Sequence, residues 1–180
     1  MTGEAGTEVE VVVEDDRWHD LGRLAAIAVP AALREAGVEG PREVAVLGCD
    51  DARIAALNAE FRGRAAPTNV LSWPSADRDP DAPGSDVELG DIAIAFDTCA
   101  REAAERGVAF DAHVLHLLVH ATLHLLGHDH EDEAAAARME AAEVAALARL
   151  GFPDPYASDR DGAAGDGPGA AGRPSGSDAD

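Results

Sequence analysis

Apolar and polar positions along the chain switch between a two-residue and a helical period, and the changeovers lay out an alternating order of strands and helices. Residues 8–13 alternate and then run apolar with β-branched side chains, the pattern of a first strand. Residues 17–36 follow with a helical period, Leu21, Leu24, Ala28 and Leu33 falling near one face and Gly37 acting as the stop. Pro30 inside that pattern predicts a kink or a restart. Residues 43–48 read as a second strand, and Asp50 or Asp51 is placed to cap a helix that runs through Phe61. A short apolar burst at 70–73, closed by Pro74, predicts a strand near a sheet edge. A Pro/Asp/Gly-rich loop, expected to be mobile, then leads to a strand at 88–96 that contains Gly90 and Asp91. Asp97 is placed to cap a helix to Arg106, Asp111 a helix to Leu126, and 131–150 reads as a last helix full of alanine and acid. The expected fold is α/β of the α+β type: a small mixed four-stranded sheet packed with about five helices.

Length and composition limit the organisation. A chain of 180 residues suits one domain with its own core, here expected over 1–151. Residues 152–180 hold six glycines and four prolines and almost no large apolar side chain, so they read as a disordered tail, with Phe152 and Tyr156 able to dock back on the domain. Cys49 and Cys99 are far apart and read as small buried apolar residues of a reducing compartment. The N-terminal residues lack the basic and apolar regions of a signal peptide, and no run approaches a membrane span. A soluble cytoplasmic protein without membrane contact is expected. The formal net charge of -21 disfavours general attraction to anions, so any nucleic-acid contact must rest on a local patch.

Candidate chemistry concentrates in one segment. Six of the seven histidines lie between His113 and His130. A four-residue step on a helix rises about 6 Å and returns to nearly the same face, so His120 and His124 can aim ring nitrogens at one ion. Gly127 supplies a helix stop, after which the chain can turn and deliver His130 as a third ligand. His113 and His116 continue the same stripe, but lie out of reach of that turn; they read as a partly buried polar seam or as groups that orient a ligand or substrate. Three imidazoles without a thiolate suit Zn(2+), one per chain, and leave a coordination position open, as catalysis requires. The spacing His-x-x-x-His-x-x-Gly-x-x-His is shared with a zinc-peptidase class that carries a glutamate base after the first histidine. Here that position is Ala121, which disfavours peptide hydrolysis and leaves phosphodiester cleavage as the easier reaction. Asp91 reads as an acid that orients a ligand or satisfies nearby backbone, and Met139 as a core residue.

The stretch HATLHLLGHDH at 120–130 resembles the signature of the YbeY bacterial endoribonucleases, also called rRNA maturation factors. LNAEFRGRAAPTNVLSWP at 57–74, LGDIAIAF at 89–96 and GFPDPY at 151–156 extend the likeness over roughly residues 8–156. The resemblance implies a zinc-dependent endoribonuclease specific for single strands, acting in 3′ end maturation of small-subunit ribosomal RNA and in ribosome quality control. It also implies His120, His124 and His130 as the metal ligands of a zincin-like helix. Arg62 falls on a family arginine important for activity, and its fork of donors suits a phosphate clamp. The chain departs from the family pattern at Ala121, commonly glycine, and at His128, commonly tyrosine. Arg64 and Ala65 stand where a lysine and an acid are usual, so the expected RNA groove is thin, with Arg53, Arg62 and Arg64 its members. Thr68, Asn69 and Ser72 read either as cleft contacts or as turn formers. Ribosomal RNA precursor and the ribosome or its proteins are the expected partners. Two alternatives stand beside this reading: a zinc peptidase-like hydrolase, and a non-catalytic ribosome-assembly protein with a structural metal.

Overall fold

The computed structural model of the protein describes residues 6–76, 79, 81–129 and 131–157. Four strands and five helices follow one another as β1 Thr7–Val13, α1 Leu21–Glu35, β2 Arg42–Cys49, α2 Asp51–Arg62, β3 Val70–Pro74, β4 Glu88–Ala95, α3 Phe96–Arg106, α4 Phe110–Leu125 and α5 Glu133–Arg149. The sheet order is β1-β2-β4-β3, with β1, β2 and β4 parallel and β3 antiparallel at the edge. This is the expected α/β fold with a mixed four-stranded sheet.

Strand alternation sends Val44, Val46, Ile92, Ile94 and Val70 to one face, where α1 and α4 bury them in the main core. Cys49, Leu71, Ala93 and Ala95 point to the other face and are covered by Ile54 of α2. Helix α5 packs on α1 and α4 as an outer layer, so α4 is enclosed between the sheet and α5. That enclosure explains why α4 is buried almost all round and why its polar residues must find partners inside the protein.

Several local expectations shift for tertiary reasons. Residues 17–20 form a turn before α1, because the Arg17 guanidinium is held by Asp15 at 2.6 Å and Asp97 at 2.8 Å. Helix α1 runs through Pro30 without restarting, its flanking Ala28, Val29, Ala31 and Ala32 all buried. Asp97 lies inside the first turn of α3 and not at its cap; it pairs with Arg17 and accepts from the Asp51 backbone N–H at 3.1 Å. Asp111 likewise sits inside α4 and pairs with Arg23 at 3.3 Å, while Ala109 occupies the N-cap without a side-chain bond. Asp50 caps α2 through the Arg53 N–H at 2.8 Å, as the sequence suggests. Among the described residues no single helix is long and apolar enough to cross a membrane; α3 and α4 meet that test only together, bent by 116°.

Gly90 fixes where β3 ends. A Cβ there would lie 2.1 Å from the Trp73 carbonyl oxygen, 2.9 Å from Pro74 Cα and 3.0 Å from Leu125 Cδ2, and its φ is +145°. Only glycine lets the end of β3 close against the last turn of α4, the turn that carries His124.

Candidate metal centre

Helix α4 presents His113, His116, His120 and His124 on one stripe, as their spacing requires. The first two are buried, at 5% and 6% exposure, so the seam lies deeper in the interior than the partly buried one expected. Each has a carboxylate. His113 Nε2 donates to Glu102 Oε1 of α3 at 2.9 Å, and Asn69 Nδ2 donates to the same oxygen at 3.0 Å. His116 Nε2 donates to Glu143 Oε1 of α5 at 2.8 Å.

Glu143 is the centre of this network. It is 1% exposed and accepts from three groups: His116 through one oxygen, His120 Nδ1 through the other at 2.5 Å, and the Tyr156 hydroxyl. Burial works to raise its pKa, but the hydrogen bonds from His116 and His120 outweigh that cost and hold the carboxyl well below the usual range. Burial lowers the pKa of His116, which keeps that imidazole a neutral N–H donor. Burial and the adjacent Glu143 charge raise the Tyr156 phenol, which therefore remains a donor too.

The consequence for His120 is a fixed tautomer. With its proton on Nδ1 and directed at Glu143, the ring nitrogen that carries a lone pair is Nε2, the state in which imidazole binds a metal ion. His124 stands one turn on, its ring centroid 4.8 Å from that of His120 and its plane rotated by 79°. Past it the helix closes with a Schellman turn: the Gly127 N–H donates to the His124 carbonyl and the His128 N–H to that of Leu123, each at 3.0 Å, with Gly127 at φ +99°. A Cβ on Gly127 would also lie 2.9 Å from Pro83 Cβ. The helix stop read from the sequence is therefore formed, and the chain leaves α4 in the direction of the next residues. His130, the third expected ligand, lies outside the described residues. Among the described residues no group of three His, Cys, Asp or Glu side chains is arranged to hold a metal ion. The donor chemistry of the two that converge, adjacent imidazoles with the first anchored through Nδ1 by a buried carboxylate, fits zinc.

The other candidates separate. Arg62 ends α2, half-buried, and its Nη2 donates to the Ser72 carbonyl of β3 at 3.2 Å, so it reaches the edge strand that borders the end of α4. Arg53 lies at the other end of α2 and pairs with Glu14 at 3.1 Å. Asn69 is a structural tie: besides Glu102, its side chain accepts from the Val70 N–H at 2.6 Å and its carbonyl from that of Ala95 at 3.0 Å. Asp91 is exposed on the α2 side of the sheet, Met139 is core at 2% exposure, and Ala121 is buried at 1%, supplying no base. Cys49 and Cys99 are fully buried free thiols; burial pushes the first up to about 12 and the second well above its usual value, so both sit in the core as neutral thiols.

Sequence reasoning missed Glu102, Glu143 and the depth of the Tyr156 contact. A signal for Glu143 existed, since it shares a buried stripe with Met139, Ala146 and Leu147, where a helix of a soluble domain normally carries no charge.

A family model described as Endoribonuclease YbeY matches residues 9–151. The chain belongs to the YbeY family. It is 53% identical over 157 residues to the Endoribonuclease YbeY of Paracoccus denitrificans, covering 82% of this chain and 89% of that protein. The relative of the same name from Dinoroseobacter shibae is 52% identical over 166 residues, covering 84% and 92%. The solution structure of TM1509 from Thermotoga maritima shares the fold at a TM-score of 0.54 and 22% identity, covering 82% of this chain and 97% of that one. The YbeY match spans all but the first two residues of β1 and every later strand and helix, so the polar network on α4 lies wholly within the matched region except for Tyr156.

The outer network makes a pH prediction. Burial works to raise the Glu102 carboxyl, but hydrogen bonds from His113 and Asn69 outweigh it, and its pKa falls below the ordinary 4.5. A lowered folded-state value means that the stabilisation is complete above pH 4.5 and is lost as pH falls through the lowered value. The gap in thermal midpoint between wild type and Glu102→Gln is thus expected to be widest near neutrality and to close in acid. A gap that stays constant across that range contradicts the assignment.

Proposed function

We propose that the chain is a zinc-dependent endoribonuclease that cuts single-stranded RNA, and that its role is in 3′ end maturation of small-subunit ribosomal RNA and in ribosome quality control in the cytoplasm. The observation that supports the metal centre is the hydrogen bond that His120 Nδ1–H donates to Glu143, which suits Nε2 to act as a ligand atom. Its relatives' name carries the substrate. In this reading His120, His124 and His130 hold the ion. Zinc bound there supplies a Lewis acid for a phosphoryl oxygen and makes the attacking oxygen a better nucleophile. Arg62, at the border between α2 and the edge strand, binds the phosphate and stabilises the charge that develops on its oxygens. Glu143, His116 and Tyr156 hold the His120 ring in place.

The test is cleavage of labelled single-stranded RNA by the zinc-loaded full chain, with a duplex control and an Arg62→Ala variant. Cleavage stopped by chelator and slowed about a hundredfold by the variant is expected. Absence of cleavage with every divalent metal tried overturns the reading.

The reading as a non-catalytic assembly protein has one observation of its own. Glu8, Glu10, Glu43, Glu88 and Asp91 line an open groove on the sheet face that α2 leaves uncovered. Such a surface repels phosphate and suits a basic protein such as a ribosomal protein. A chain that binds such a partner through this groove and cuts no RNA is the outcome this second reading requires.

A further inference from the structure

Phe61 is the one aromatic among the exposed large apolar side chains of the described residues, at 55% exposure. It sits beside Arg62 at the end of α2, and its ring meets Trp73 of β3 edge to face, with centroids 5.1 Å apart and planes at 67°. Trp73 in turn rests on the small core under α2 with Leu71 and Ala93. Its indole Nε1–H is buried with no acceptor among the described residues, a cost that packing alone does not explain. Phe61 is therefore a ring held at a set angle by a supported neighbour, with its other side open to solvent.

The surroundings define what it can hold. Arg62 reaches the Ser72 carbonyl, so it marks the edge of β3 on one side of the aromatic pair. Arg64, one residue past the C-cap Gly63, is exposed and forms no ion pair among the described residues, whereas Arg17, Arg23, Arg53 and Arg149 are each matched to a carboxylate. In a chain of net charge -21, an exposed arginine without an ion pair among the described residues is a local point of attraction for phosphate. Asp91, opposite Trp73 in the sheet register, closes the path across the acidic face beyond it. An aromatic face near an arginine without an ion pair among the described residues, here Arg64, fits the pattern by which proteins grip single-stranded nucleic acid, phosphate on the cation and base on the ring.

We propose that Phe61, braced by Trp73, is the stacking platform for one nucleobase of single-stranded RNA whose backbone lies along the β3 edge at Arg62 and Arg64. This rests on the reading of the chain as an RNA-cutting enzyme and adds the subsite that holds the strand. Because every base has a π face, the platform selects for unpaired bases and not for sequence. It binds substrate and transition state alike, so its loss acts on KM and leaves kcat nearly unchanged.

The experiment measures the affinity of the full chain for a short 2′-O-methyl oligoadenylate by fluorescence anisotropy, together with the kinetics of cleavage of the matching RNA. Phe61→Ala is expected to weaken binding about five- to hundredfold, the ratio that follows from roughly 1–3 kcal/mol of base stacking. Phe61→Tyr, which keeps the ring, retains the wild-type affinity, and Phe61→Leu, which keeps only the apolar bulk, does not. Thermal midpoints equal to wild type show that the exposed site was changed without unfolding. Wild-type affinity in Phe61→Ala, or in Phe61→Leu, overturns the platform while leaving the enzyme reading intact. A wild-type chain that neither binds nor cuts RNA overturns that reading itself.

Discussion

His124→Ala is expected to leave the purified chain with almost no bound zinc and to reduce RNA cleavage by about a thousandfold or more. Three protein donors are the minimum that holds a catalytic zinc ion with one position open, and two imidazoles on a single helix do not suffice. His124 is well suited to this test because its ring meets that of His120 at 4.8 Å while its backbone belongs to the last turn of α4. Truncating it therefore removes a donor without unmaking the Glu143 network on the preceding turns. Elemental analysis after dialysis reads the metal, and His19→Ala, at an exposed histidine in the turn before α1, serves as the control that keeps full occupancy. Full zinc stoichiometry in His124→Ala would falsify the ligand assignment whatever the activity.

Glu143 is expected to show the other large effect, divided between affinity and stability. Glu143→Gln keeps the size of the side chain but loses its charge and places an amide donor where only acceptors fit the two imidazole N–H groups and the Tyr156 hydroxyl. Zinc affinity is expected to fall about ten- to hundredfold, the range for groups that orient a ligand from behind. Glu143→Ala goes further, removing the acceptor shared by the His116, His120 and Tyr156 donors and leaving His116 only the Tyr156 hydroxyl at 3.2 Å, and is expected to cost about 3–5 kcal/mol of folding stability, a large share of what a domain has. Tyr156→Phe removes one donor and keeps the carboxylate in place, so a smaller loss, about 1–2 kcal/mol, is expected, with zinc affinity less affected. Competition with a chelator reads the first quantity and the urea midpoint the second. If Glu143→Gln loses stability but binds zinc as tightly as wild type, the carboxylate serves folding only and the positioning role is wrong.

The Tyr156 contact also bears on the end of the domain. Phe152 packs on the main core and the Tyr156 hydroxyl reaches Glu143, so the segment after α5 contributes to the histidine network although its composition is that of a tail. The Arg106 guanidinium donates to the Pro155 carbonyl at 3.2 Å and holds the same segment from the α3 side.

Which parts of the molecule were legible in the chain follows from the range of the forces involved. The order of strands and helices was readable because hydrophobic period and capping act within a few residues. Asp50 capping α2 and Gly127 ending α4 are of this kind. Asp97 and Asp111 misled for a related reason. An acid near a helix start satisfies the local rule equally well as a cap or as a first-turn residue, and here Arg17, in the turn before α1, and Arg23, in α1, drew both into ion pairs. Pro30 was misleading in the same sense, since burial of its flanking residues outweighed the lost backbone bond.

For the metal centre the division is similar. The amino-acid sequence by itself determined that His120 and His124 share one face of a helix and that the helix stops three residues later, because both follow from the geometry of one turn and the conformational freedom of glycine. It also determined that no carboxylate stands at position 121. Only the tertiary structure decided which nitrogen of His120 meets a carboxylate, because that depends on Glu143, 23 residues away on another helix. It likewise decided that His113 and His116 face carboxylates in the interior, that Arg62 meets β3, and that Phe61 is left exposed against Trp73. These are contacts between elements, set by how α5, α3 and β3 pack around α4, and no local period along the chain encodes them.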